Sequence, residues 1–84
     1  MLSHQSIRNL VNKENIPNGT RYTNNSQHTM CIKYVYAHSN ERGYGPDKNT
    51  ATPLDILVIP PNSHRDLPTL VNGKRCFTSD PYIQ

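Results

Sequence analysis

A chain of 84 residues, 33% of them hydrophobic and none of them Trp, is limited to one small domain with a small core. A core of that size recruits help, from a disulfide, a metal or further copies of the chain. The formal charge of +3, nine Lys and Arg against six Asp and Glu, is mild and spread along the sequence, without the dense basic stripe of a typical nucleic-acid binder.

The longest apolar runs, residues 56–59 and pieces of 30–37, fall far short of the roughly 18 residues that a membrane-crossing helix needs. Residues 1–15 lack the continuous apolar stretch of a secretory signal. The expectation is a protein made in a cytosol, with Cys31 and Cys76 as free thiols. Two cysteines also allow one bridge, and spacing alone leaves both states open.

Residues 3–14, SHQSIRNLVNKE, carry a weak helical pattern. Ile7, Leu10 and Val11 fall at i, i+3 and i+4, on one face, and Ser3 or Ser6 can cap the start. So narrow a stripe does not hold a helix in water by itself. Ile7, Leu10 and Val11 are therefore the first candidate partner interface. Residues 1–17 are expected as an N-terminal arm or short helix, disordered in a free monomer and ordered on assembly, ahead of a β-domain over residues 18–84.

Pro17 and Asn18-Gly19 mark a turn. A short strand is expected over residues 21–23, and a polar turn over 24–27. Residues 29–37, TMCIKYVYA, form the strongest strand pattern, dense in β-branched and aromatic residues. Met30, Ile32, Tyr34 and Tyr36 share the expected core face, and Cys31, Lys33, Val35 and Ala37 the other.

Residues 38–53 form a long polar loop with Gly43, Gly45, Pro46 and Pro53. Loops of that length are used for binding or left disordered, and this one is expected either to contact a neighbouring chain or to be mobile in isolation. Tyr44, between two glycines, is its best anchor at an interface. Residues 54–59, LDILVI, then read as a second buried strand, stopped by Pro60-Pro61-Asn62-Ser63, where Asn62 suits a left-handed conformation. Residues 64–71 run extended, and Pro68 marks them as an edge. Asn72-Gly73 suits a type I′ turn, with Leu70 facing Arg75 and Val71 facing Lys74. These signals predict an all-β fold, a small β-sandwich or jelly-roll-like domain.

The search for chemistry finds little. His28 and Cys31 have the spacing of half a zinc site, but no second pair follows. No metal or other cofactor is expected. Cys76, His64 and Asp66 can be drawn as a nucleophilic triad, yet no glycine-rich elbow precedes the cysteine. The segment ERGYGPD lacks the Lys-Ser/Thr ending of a phosphate loop. Tyr22, Tyr34, Tyr36 and Tyr44 lie near basic residues, as in a stacking platform for single strands, although tyrosines of a Trp-free chain are more often core. The reading is not an enzyme.

One resemblance emerges. NGTRYTNNSQHTMCIKYVY followed by LDILVIPPNSHRDL resembles a module of bacteriophage virion proteins, often found at the ends of tail fibres. Gly19, Thr20, Tyr22, Thr23 and Asn24 match its opening. Ile32, Tyr34 and Tyr36 take its strand positions, and Ile59, Pro60 and Pro61 match its later corner. Leu67 fits its apolar site and Tyr82 its late aromatic. Asn62 stands where that pattern has glycine, Arg65 where an aromatic is usual, and TSDPYIQ departs from it. The resemblance implies a β-sandwich that packs against copies of itself, often as a trimer, and against larger proteins of a virion. Function is then expected to be structural, as a capsid decoration or a tail or fibre component. The alternative from another class is a small phage-encoded inhibitor of a host enzyme or defence complex. A third is a small basic nucleic-acid-binding protein using Arg21, Lys33, Arg42, Lys74 and Arg75.

Overall fold

Eight strands and one helical turn emerge from these signals, within residues 3–37 and 55–84, the part of the chain that the computed structural model describes. In chain order they are α1 (His4–Arg8), β1 (Val11–Ile16), β2 (Gly19–Asn24), β3 (Met30–Ala37), β4 (Asp55–Ile59), β5 (His64–Pro68), β6 (Leu70–Val71), β7 (Lys74–Thr78) and β8 (Tyr82–Ile83). One sheet has the order β1-β2-β5. The other has the order β4-β3-β7-β6, with β8 also on β3. All pairings are antiparallel. The sheets face each other through Tyr22 and Leu67 on one side and Ile32 and Ile59 on the other. Val11, Tyr34, Leu57 and Cys76 border that cluster. The fold is the expected small all-β sandwich.

The N-terminal segment differs from the expectation. The helix ends at Arg8, after one turn capped by the Ser3 hydroxyl, which accepts from the Ser6 N–H at 3.1 Å. Residues 11–16 are not helix but strand, paired with β2 along their whole length. Asn9, Asn12 and Asn15 disfavour a helix, and a six-residue ladder satisfies the backbone better than two more frayed turns. The sheet therefore begins at Val11, and the expected division at residue 17 falls inside the β1–β2 hairpin.

That hairpin turns at Pro17-Asn18, one residue earlier than Asn18-Gly19, since Ile16 pairs with Gly19. Proline fixes the first φ near −65° and Asn18 takes φ 66°, which matches a type II turn. Gly19 has a different duty. A Cβ there would lie 2.5 Å from the Leu67 carbonyl oxygen, so glycine is what lets β5 pair closely with β2.

The extended chain over residues 64–71 is also not one strand. It changes sheets at Pro68-Thr69: β5 pairs with β2, and β6 pairs with β7. The Thr69 N–H donates to the Asn18 carbonyl at 3.2 Å, while the Thr69 carbonyl accepts from the Cys76 N–H at 3.1 Å. The Tyr36 hydroxyl donates to the Pro68 carbonyl at 2.7 Å and fixes the corner. Asn72 and Gly73, at φ 52° and 78°, form the expected two-residue turn.

A second corner is held by Asn24, fully buried. Its Nδ2 donates to the carbonyls of His28, Ile59 and Pro60 at 2.7, 2.9 and 3.0 Å. Continuing the β3–β4 register, which pairs Met30 with Ile59, sets Pro61 opposite His28. Proline has no N–H to give, and the Asn24 amide supplies the missing donor. Its Oδ1 accepts from the Ser26 N–H and hydroxyl at 3.0 and 2.6 Å.

Candidate assembly surface

Strand alternation assigns each residue of β3 to a face. Met30 and Ile32 look inward as expected, while Cys31, Val35 and Ala37 on the opposite face are also buried, and Tyr34 and Tyr36 only half so. The expectation of one core face is thus corrected: the central strand is covered on both sides.

The partners of the outward set define a surface. Cys31 stands opposite Val58 and Tyr82, Lys33 opposite Ile56, Val35 opposite Phe77, and Ala37 opposite Arg75. Leu70 continues this face across from Arg75. Tyr82 reaches it because of a bulge. Val35 pairs with Phe77, but Cys31 pairs with Tyr82, so Asp80-Pro81 adds a residue opposite Ile32. The Lys33 ammonium then lies 5.8 Å from the Tyr82 ring centre.

At its margins this outer face leaves apolar side chains in water. Ile56 is 54% exposed, Val58 41% and Leu70 58%. The expectation that residues 54–59 form a buried strand is corrected here: among the described residues β4 is an edge strand, and only its inward residues Leu57 and Ile59 meet the core.

The outer face of the β1-β2-β5 sheet is chemically different. Glu14 stands opposite Arg21, and Arg21 opposite Asp66. Arg21 grips Asp66 in a two-point contact, Nε to Oδ1 at 2.9 Å and Nη2 to Oδ2 at 3.2 Å. That hydrogen bond holds the Asp66 carboxyl below its usual range and raises the Arg21 guanidinium.

Between the sheets, on the β1 side, the sandwich stays open. A cleft of about 330 Å³ is lined by Arg8, Lys13, Tyr22, Ile32, Thr78 and Asp80. Lys13 points inward from β1 and places its ammonium 5.9 Å from the Tyr22 ring centre. Arg8 and Asp80 approach to 3.9 Å across the rim. Burial pushes the Tyr22, Tyr34 and Tyr36 phenols and the Cys76 thiol up, so the interior favours neutral forms rather than an activated nucleophile.

The sequence-derived candidates distribute as follows. Ile7 and Leu10 are half-buried, on α1 and in the turn after it. Val11 pairs with Asn24 and packs against the core of its own domain, so the expected helical stripe of Ile7, Leu10 and Val11 is not formed. Tyr44, Arg42 and the loop over residues 38–53 lie outside the described residues. Cys31 and Cys76 are free thiols. His28 is exposed while Cys31 is buried. His64 and Asp66 lie on the outer face of one sheet, and Cys76 faces inward from the other, so the drawn triad does not converge. Among the described residues no group of three His, Cys, Asp or Glu is gathered as for a metal ion. Ile56, Val58 and Leu70 were not singled out as exposed apolar residues; the one signal for Ile56 and Val58 was the charge-free run ILVI, and Leu70 lies outside it.

Comparison with protein-family models, with curated proteins and with solved structures found no match.

Proposed function

We propose that this chain is a structural protein that works through protein–protein assembly rather than catalysis, with the outer face of the five-stranded sheet as its contact surface. The exposed Ile56 and Val58, neighbours on the outer face of β4, carry this reading; Leu70 is exposed on the same face with β3 and β7 between, and Val71 on the other face. Apolar side chains concentrated on one face mark an interaction site more often than scattered single ones do. The polar, ion-paired outer face of the other sheet supplies the contrast. The resemblance of Gly19 to Asn24 and Ile59 to Pro61 to a phage virion module directs the proposal to a virion subunit, as capsid decoration or tail or fibre component.

Quantitative mass spectrometry of purified particles tests it. Many copies per particle support the reading. Presence in infected cells with absence from the particle contradicts it and favours an inhibitor of a host component.

A further inference from the structure

Among the described residues the sheet edges, formed by β1, β5, β4, β6 and the two-residue β8, are not equivalent. On β1 the residues between its ends are Asn, Lys, Glu and Asn; β5 carries Arg65, Asp66 and Pro68; β6 is two residues long. Charge, proline and shortness all blunt an edge against pairing. On β4 no charge follows Asp55, and its two outward side chains are the exposed Ile56 and Val58.

The backbone of β4 is aimed the same way. The Lys33 N–H donates to the Ser79 hydroxyl at 3.3 Å, and the Lys33 carbonyl accepts from the Ser79 N–H at 2.9 Å. Both groups thus point away from β4. Ile56, opposite Lys33, belongs to a non-hydrogen-bonded pair, so its own N–H and C=O point to the side on which no described strand pairs with β4. Two residues on, the same holds for Val58. The residues with exposed β-branched side chains also present the outward backbone donors and acceptors.

We infer that β4 is a self-pairing edge and that its occupant is β4 of a second copy, antiparallel, about a two-fold axis at Leu57. This register sets Ile56 opposite Val58 of the second copy, and Val58 opposite its Ile56. Each pair exchanges two hydrogen bonds, and every outward group of both strands is used. Moving the axis to Val58 sets Ile56 against Pro60, which has no N–H. Moving it to Ile56 sets Val58 against position 54, outside the described residues. The two-fold register also clusters the four β-branched side chains on the outer faces of the joined sheets. Such a contact is isologous and yields a dimer rather than the trimer that the resemblance implies.

The inference rests on the assembly reading, and the test separates the two. Val58→Pro removes an N–H that faces the open edge and leaves the β3–β4 ladder its hydrogen bonds, because proline is tolerated on that side of an edge strand. Sedimentation equilibrium of wild type and variant, with an amide NMR spectrum to establish the fold, gives the first readout. A wild-type dimer and a folded, monomeric Val58→Pro protein are expected. The second readout needs no variant: a sample mixed from isotope-labelled and unlabelled chains should show an intermolecular Hα–Hα contact of Leu57 with itself, since that pair brings the two Cα atoms within about 4.5 Å. A trimer or dimer without that contact, unchanged by Val58→Pro, overturns the β4 inference and leaves the assembly reading standing. A chain that stays monomeric at every concentration overturns self-pairing and the self-assembly part of that reading together.

Discussion

The two sheets of this sandwich share one core but turn very different outer faces to solvent. The β1-β2-β5 sheet shows Glu14, Arg21 and Asp66 in cross-strand register. The β4-β3-β7 sheet shows Ile56, Val58, Phe77 and Tyr82, with Lys33 stacked near the tyrosine. Stability of the single domain explains the first face, because a half-solvated antiparallel sheet alternates apolar and polar residues. It does not explain the second, where large apolar side chains remain in water at the edge. The difference supports the proposal that the five-stranded sheet, through the exposed side chains of its β4 edge, carries the contact surface and the three-stranded one does not.

The largest expected effects come from the interior that both sheets share. Ile59→Ala empties a fully buried site in the central cluster and should cost about 2–5 kcal/mol, measured by urea unfolding. In a domain this small, that loss should leave a substantial unfolded fraction at room temperature. An effect below about 1 kcal/mol would mean that the sheets are not packed face to face.

Gly19→Ala comes next. Its Cβ would meet the Leu67 carbonyl, and overpacking of this kind costs about 1–3 kcal/mol. Gly73→Ala is the matched control: there is open space around it, but its φ is 78°. Its cost should be the backbone term alone, about 1–2 kcal/mol. If Gly19→Ala proves neutral, β5 does not approach β2 as closely as the three-stranded sheet requires.

The thiols sharpen the comparison without any mutation. Cys31 is buried in the five-stranded sheet and Cys76 half-buried, with its thiol raised chiefly by burial. A thiol reagent at neutral pH should label Cys76 slowly and Cys31 more slowly still, and both at the free rate in denaturant. Because the folded state disfavours the Cys76 thiolate, stability should fall as pH rises through the unfolded thiol range, about 8.5. Faster labelling of Cys31 than of Cys76 would contradict the burial of the β3 outer face.

The smallest effect is expected on the wet face. Arg21 and Asp66 are solvent-accessible, and pairs of this kind contribute little. Asp66→Asn should change stability only slightly. The sign is set by the lowered Asp66 carboxyl: the pair's contribution is present above the unfolded carboxylate value, near 3.9, and fades as pH falls through the lower folded value. The gap between wild type and Asp66→Asn in urea midpoint should therefore close in acid.

Much of the architecture was legible in the sequence. The alternation over residues 29–37 placed β3, Asn72-Gly73 placed the last hairpin and its register, and Asn62 was recognised as left-handed. What was illegible depended on neighbours distant in the chain. ILVI reads as a buried strand because a continuous apolar run has no wet face, yet the order of the described strands puts it at an edge. VNKENI continues a weak helical pattern in the sequence, and pairing with β2 overrides it. Gly19 looked like a turn residue because its clash partner, the Leu67 carbonyl, is far along the chain. The β4 surface was hidden for the same reason: Ile56 and Val58 stand exposed only because no described strand pairs beyond them.

The central claim, that one outer face assembles and the other does not, is tested most directly by sedimentation velocity over a concentration series on two paired variants. One carries Ile56→Lys with Val58→Lys, the other Arg21→Gln with Asp66→Asn. Both sets of side chains are exposed, so both variants should fold. The account predicts that the first loses self-association and the second keeps it at the wild-type level. Association that survives the lysines on β4, or that vanishes with the Arg21–Asp66 pair, would contradict it.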